Sequence, residues 1–286
     1  MLKGIDVSKA QGKIDWAKVK KAGVQFAMIR LGYGNDDTSQ DDKAFEENVK
    51  GCEANGIPWG AYIYSYAMDT TEAKSEASHA LRMLRGKKPT YPIAFDMEDA
   101  DGYKAKRGGL SKEKAVNICT TFLSIVENSG YYVSLYASLS WLDGILNDNR
   151  LNKYDKWVAQ WNTKCQYDKP YGMWQYGGST NYIESPTVSG INGAVDKDYA
   201  YYDYPTIIKE NGLNGWEKPK TETPAEKPQE KPTETPVEKP VETPAETDKP
   251  ETENPTQGEN ENDTGKGIIE TLKKLIKLIV EWAFGK

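Results

Sequence analysis

Short apolar runs alternate with longer amphipathic stretches from residue 1 to about residue 216. Runs rich in apolar and β-branched residues at 2–6, 25–30, 58–64, 91–97, 131–136, 156–161, 171–176 and 193–196 predict strands. The stretches between the first five read as helices. Residues 41–55, 71–84 and 111–128 show apolar positions at helical spacing, each with Ser, Thr or Asp near its start, where a side chain can accept from a free N–H. Gly23, Gly56 and Gly130 close three helices before the next strand, as C-terminal glycine stops do. Eight strands, the early ones separated by helices, predict an α/β fold of the irregular (β/α) barrel type. Five β/α units would come first. The strand at 171–176 follows Trp161 by only about ten residues, too few for an intervening helix, so close-set strands would complete the barrel.

Beyond residue 216 the pattern changes. TETPAEKP returns as TETPVEKP and then VETPAETDKP, with no aromatic residue between Trp216 and the last twenty or so positions. Residues 217–265 bury too little apolar surface to offset the ordering of a backbone, so a disordered linker is expected there. Frequent proline favours extended polyproline II and makes the linker a semi-stiff spacer. The final stretch, 266–286, is amphipathic: Ile268, Leu272, Leu275, Ile279 and Trp282 fall on one helical face, and Lys273, Lys274 and Lys277 lie on the polar side. It is too short and too charged to span a bilayer comfortably. Three uses remain open for it: adsorption to an anionic membrane surface, self-association, or docking onto the barrel.

The net charge of −6 is unevenly spread. Residues 217–265 hold 14 acidic and 6 basic side chains, and 266–286 hold 5 lysines and 2 glutamates, which leaves residues 1–216 close to neutral. A near-neutral globular part argues against nucleic acid as a partner. Cys52, Cys119 and Cys165 stand far apart in no metal-ligand spacing and read as free thiols; no metal and no cofactor is expected. The single histidine, His79, lies inside a predicted helix and reads as a packing or surface position. The start, MLKGIDVSKAQG, lacks a basic segment followed by an apolar core, so synthesis in the cytoplasm and release by another route are expected.

Four acidic residues stand at or just past the ends of predicted strands: Asp6, Asp96, Glu98 and Asp196. In a barrel of parallel strands the C-terminal strand ends converge on one mouth, so these carboxylates are expected to meet. Asp96 and Glu98 are two apart and must share a strand face. Like charges so close push one carboxyl towards its protonated form, which sets a general acid beside a carboxylate. Glycosidic cleavage needs that pair.

GIDVSKAQGKIDW, GVQFAMIRLGYG, GAYIYSY, PIAFDMED, WVAQW, WQY and VDKDYAY occur in this order. As a set these motifs resemble glycoside hydrolase family 25, the lysozymes (N-acetylmuramidases) of bacteria and their phages, over residues 3–205. The resemblance implies an irregular (β/α) barrel that cleaves the β-1,4 bond between N-acetylmuramic acid and N-acetylglucosamine in the glycan strands of peptidoglycan. It maps the family's acidic quartet onto Asp6, Asp96, Glu98 and Asp196. Some members carry a K-x-S-E-G run after the second strand; here Arg30, Leu31, Gly32, Tyr33 and Gly34 stand there, so a glutamate at that place is ruled out.

Tyr62, Tyr64, Tyr66, Trp161, Trp174 and Tyr176 are expected to line the groove, because sugar C–H faces pack on aromatic rings. Packing the core is the alternative for each. Arg30 would meet a substrate carboxylate, neutralise the acids, or form an internal ion pair. Two further classes stay open beside a hydrolase of endolysin type: an inactive wall-binding module, and a membrane-active protein working through residues 266–286.

Overall fold

A computed structural model describes residues 1–179 and 183–219. The expected helix at 266–286 and all but the first three residues of the expected linker lie outside them. Eight strands, taken in chain order, close into a barrel: β1 (Leu2–Val7), β2 (Phe26–Tyr33), β3 (Trp59–Tyr64), β4 (Ile93–Asp96), β5 (Val133–Ser138), β6 (Asp155–Ala159), β7 (Met173–Gly177) and β8 (Asp196–Ala200). The first seven run parallel to their neighbours, whereas β8 is antiparallel to both β7 and β1. The expected irregular α/β barrel is therefore what the chain forms.

Strand alternation divides the hydrophobic residues into two layers. Phe26, Met28, Tyr62, Ala94, Tyr136, Trp157 and Met173 fill the interior. Phe26 stacks on Tyr91 with ring centroids 4.5 Å apart, and a Cβ on Gly4 would lie 2.3 Å from the Phe26 ring. Glycine is required there because the aromatic plug occupies the space beside β1. Outward-facing Ile5, Val7, Ile29, Ile63, Phe95 and Leu135 meet the helices.

Those helices are α1 (Trp16–Lys21), α2 (Phe45–Ala54), α3 (Thr70–Leu84), α4 (Lys112–Asn128) and the short α5 (Leu139–Asp143). Asp15, Asp69 and Ser111 cap α1, α3 and α4 through their side chains. Gly23, Gly56 and Gly130 each take a positive φ where the chain leaves a helix, the conformation that glycine adopts at least cost. A sixth helix, α6 (Tyr204–Glu210), and the segment after it seal the end of the barrel away from the strand C-termini. There Asn214 bonds the carbonyls of Pro89 and Tyr91 and the N–H of Tyr132.

Two boundaries depart from expectation. The second expected helix begins at Phe45 rather than at residue 41, because Asp42 serves as a hydrogen-bond acceptor for neighbouring segments. The strand expected at 193–196 is displaced: Gly193 has φ +84°, and β8 starts at Asp196. As expected of close-set strands, no helix among the described residues covers β7 and β8, and Trp174, Tyr176 and Tyr199 form a separate cluster on the outer face instead.

Cys52 and Cys119 are buried, Cys165 is half-buried, and all three are free. His79 is fully buried on α3, with Nε2 2.8 Å from Asp41 Oδ1 and Nδ1 3.1 Å from the Gly34 carbonyl. Among the described residues, no helix is long and apolar enough to cross a membrane.

Candidate active site

Asp6 is the last but one residue of β1 and Asp96 ends β4. Their side chains enter the barrel because Ile5 and Phe95, one residue earlier, point outward into the helical layer. Glu98 repeats the orientation of Asp96 two residues on, with Met97 buried outward between them. Asp196 arrives differently. As the first residue of an antiparallel strand it stands level with the ends of its parallel neighbours, paired in register with Asp6. All four carboxyls line one cavity of about 220 Å³ at the barrel mouth.

Burial raises each of these carboxyls above the usual range. For Asp6 it does so together with the charges of Asp196 and Asp198. For Asp96 the second cause is Glu98. Asp196 is pushed up to about 6 by burial. Glu98 is also raised by burial, but Lys104 opposes the shift. One Asp96 oxygen, Oδ1, is buried without a hydrogen-bond partner among the described residues.

Lys104 explains how Glu98 is held. Only 2% of it is exposed, and its ammonium donates to the carbonyls of Ser65 and Glu98. On the other side of Ser65 its hydroxyl donates to the buried Glu76 at 2.8 Å, and Glu76 also accepts from Tyr66 N–H. Burial pushes Glu76 up to about 7. A lysine and a glutamate from outside the mouth thus fix the backbone on which Glu98 and Tyr66 stand.

Beneath Asp6 lies a buried network. Gln175 donates to Asp6 at 2.8 Å and accepts from Tyr136 at 3.1 Å and Trp161 at 3.0 Å. Trp157 donates its indole N–H to Asp198 at 2.8 Å. Asp198 and Gln175 were not singled out in the sequence. Parity could have found both: Asp198 is two residues beyond Asp196, and Gln175 faces opposite to Trp174 and Tyr176.

The aromatic candidates divide accordingly. Tyr62 and Tyr64 line the mouth. Trp161 stands beside Asp196: a Cβ on Gly178 would touch both the Asp196 carboxylate and the Trp161 ring. Tyr64 and Tyr66, with Tyr33, Lys9 and Arg30, line an adjoining cavity of about 490 Å³, so mouth and side arm form one groove. Tyr33, which the sequence reading did not propose, packs edge-on against Tyr66 at 5.9 Å. Trp174 and Tyr176 are corrected by the structure. They face outward, with Trp174 donating to the Gln160 carbonyl and Tyr176 to Glu184. Arg30 forms the internal ion pair, its Nε 2.8 Å from Asp42 Oδ2, and also lines the groove.

The family model for glycosyl hydrolases family 25 matches residues 5–184. An autolytic lysozyme of Clostridium acetobutylicum is 28% identical over 198 residues, covering 69% of this chain and 55% of that protein. The modular autolysin LytC of Streptococcus pneumoniae, solved with a synthetic peptidoglycan ligand, superposes with a TM-score of 0.61 at 29% identity, over 70% of this chain and 46% of that one. A bacterial lysozyme of Streptomyces coelicolor superposes with a TM-score of 0.56 at 25% identity, over 70% of this chain and 92% of its own. The chain thus spans about half the length of the first two relatives. With more than half of its residues matched by the family model, the chain belongs to the glycosyl hydrolases family 25.

Proposed function

We propose that this chain is a peptidoglycan hydrolase that cleaves the β-1,4 bond between N-acetylmuramic acid and N-acetylglucosamine. One observation carries the reading: Asp96 at the end of β4 and Glu98 just beyond it project to one side, into a groove that Asp6 and Asp196 also line. The family membership and the lysozyme relatives support the same substrate class.

Glu98 is the general acid. Burial raises its proton affinity, which favours the protonated form that the leaving oxygen requires. Asp96 orients the 2-acetamido group of the substrate, its unpartnered Oδ1 accepting the amide N–H. The acetamido carbonyl then attacks the anomeric carbon, so no covalent bond to the protein forms; such substrate assistance is a known departure from the two-carboxylate scheme. Asp6 and Asp196 hold the hydrolytic water and sugar hydroxyls, while Tyr62, Tyr64, Tyr66 and Trp161 supply ring faces.

Digestion of purified peptidoglycan, followed by reduction and mass spectrometry, tests the assignment. Reduced muramic acid from the native chain, lost with Glu98→Gln, is the expected result. A reduced glucosamine end, or undiminished activity of the variant, would refute the bond or the residue. The first-released anomer tests the route: β supports substrate assistance, and α would replace it with an inverting pair.

A further inference from the structure

The groove is electrostatically lopsided. Its mouth carries the four carboxyls, while the side arm carries Lys9 and Arg30. The arm's one acid, Asp101, is already engaged, accepting from the Tyr66 hydroxyl at 2.8 Å and the Tyr103 N–H at 3.0 Å.

Arg30 is held edge-on. Buried Asp42 accepts its Nε at 2.8 Å, the backbone N–H of Lys9 at 3.1 Å and that of Ala44 at 3.0 Å. Both remaining Arg30 nitrogens, Nη1 and Nη2, make no hydrogen bond to any described residue, and the side chain lines the mouth and the arm alike. A guanidinium fixed through Nε offers its free edge as a fork that matches a planar carboxylate. Lys9 is exposed at the rim, its ammonium 5.6 Å above the Tyr33 ring.

We propose that Arg30 and Lys9 form a carboxylate-binding subsite that takes the anionic substituent on position 3 of a muramic acid ring. The inference rests on the functional reading above and adds to it a device for register. The acids at the mouth repel a second carboxylate, and the arm attracts it. A glycan strand therefore settles with its carboxylate-bearing ring on the Arg30 side, which selects one of the two alternating β-1,4 bonds. The carboxylate has two sources, the lactyl group itself or the acidic peptide stem attached to it.

Calorimetry on the full chain, with Glu98→Gln present to prevent turnover, separates these cases. Three ligands are compared at fixed salt: a tetrasaccharide alternating N-acetylglucosamine and muramic acid with free lactyl carboxylates, the same glycan carrying peptide stems, and chitotetraose. The muramyl ligand that supplies the carboxylate should bind about tenfold or more tighter than chitotetraose. Adding Arg30→Gln should collapse that ratio towards one, the muramyl ligand losing far more affinity than chitotetraose. Lys9→Gln, at an exposed position, should lower the ratio by about two- to fivefold, and it carries the test if the Arg30 variant melts early.

Whichever muramyl ligand shows the preference identifies the source. A ratio that survives both substitutions overturns the subsite. So does an equal loss on all three saccharides, which would mean that Arg30 only tunes the acids, and so does a native ratio near one. Hydrolysis of purified walls by the native chain is scored separately. Its absence would defeat the functional reading while the binding ratio still decides the subsite.

Discussion

Asp6 and Asp196 face each other in register across the antiparallel seam between β1 and β8. Two carboxyls so placed, with Asp198 two residues further along the same face, cannot all ionise cheaply. The barrel closes by bringing like charges together at its last seam. Stability is given up there to assemble the mouth.

The cost of burying one of these carboxyls can be measured at Asp196. Burial raises its carboxyl to about 6 from 3.8, so the folded chain keeps a proton that the unfolded chain releases. With the folded value raised, stability falls as pH rises from about 4 through about 6 and stays reduced above that. The difference between 3.8 and about 6 corresponds to about 3 kcal/mol at most. Asp196→Asn should therefore raise unfolding stability at pH 7 by up to about 3 kcal/mol and leave it nearly unchanged at pH 3. Wall hydrolysis should fall at the same time. Urea melts at the two pH values decide it, and a variant less stable at pH 7 than the native chain would contradict the account.

Gly4 and Phe26 give a steric test of the plug. A Cβ on Gly4 would lie 2.3 Å from the Phe26 ring, itself pinned by stacking on Tyr91. Gly4→Ala should cost about 1–3 kcal/mol as overpacking. Phe26→Leu costs stability by leaving a void, yet it makes room for the methyl. The double variant should then be more stable than the sum of the single effects predicts, by more than about 0.5 kcal/mol. Additive losses in denaturant would show that the backbone of β1 moves instead.

The alternation that located the strands also placed Asp96 and Glu98, because a two-residue period puts both on whichever face Phe95 and Met97 avoid. Applied to β7, the same rule would have turned Trp174 and Tyr176 outward and brought Gln175 in. Their aromatic character suggested a sugar platform, but with no helix among the described residues outside β7 and β8 these rings cover the sheet themselves. Asp196 was legible as a residue and illegible as a position, since a strand's direction depends on how the chain returns to it. With no crossover helix among the described residues between β7 and β8 the return is antiparallel, so Asp196 reaches the mouth as a strand's beginning. Asp42 and Lys104 left no pattern, as each is far in sequence from what it holds or buried for a reason that only the assembled groove reveals.

Asn214 offers a prediction remote from the chemistry. It has φ +53°, and its side chain makes three hydrogen bonds that tie the segment after α6 to the residues entering β4 and β5. Asn214→Ala leaves the Tyr91 carbonyl and the Tyr132 N–H unpaired, leaves the Pro89 carbonyl only the Trp216 indole, and keeps the left-handed strain, so a loss of about 2–4 kcal/mol is expected. Asn214→Gly relieves the strain alone and should lose less. Activity per folded molecule at low temperature should be unchanged in both. A selective drop in activity without a shift in melting would show that the far end communicates with the mouth.

Lys104 tests whether the proposed acid is tuned from below. Its ammonium lowers the proton affinity of Glu98 while burial raises it. Removing the charge should therefore raise Glu98 further. In the proposed mechanism Glu98 must be protonated, so the alkaline limb of kcat/KM against pH should move to higher pH in Lys104→Met. A purely structural loss would scale activity down at every pH and leave the limb in place. The carbonyls of Ser65 and Glu98 lose their donor, which costs about 1–3 kcal/mol each if no water replaces it. Relief of a buried cation offsets part of that cost, because the lysine's own proton affinity is lowered by burial. The profile should be recorded well below the melting temperature, with Glu76→Gln in parallel. Glu76 is raised to about 7, and losing its charge should leave the Glu98 limb near its native place or slightly lower. An alkaline limb that moves down in Lys104→Met would mean that a group other than Glu98 donates the proton.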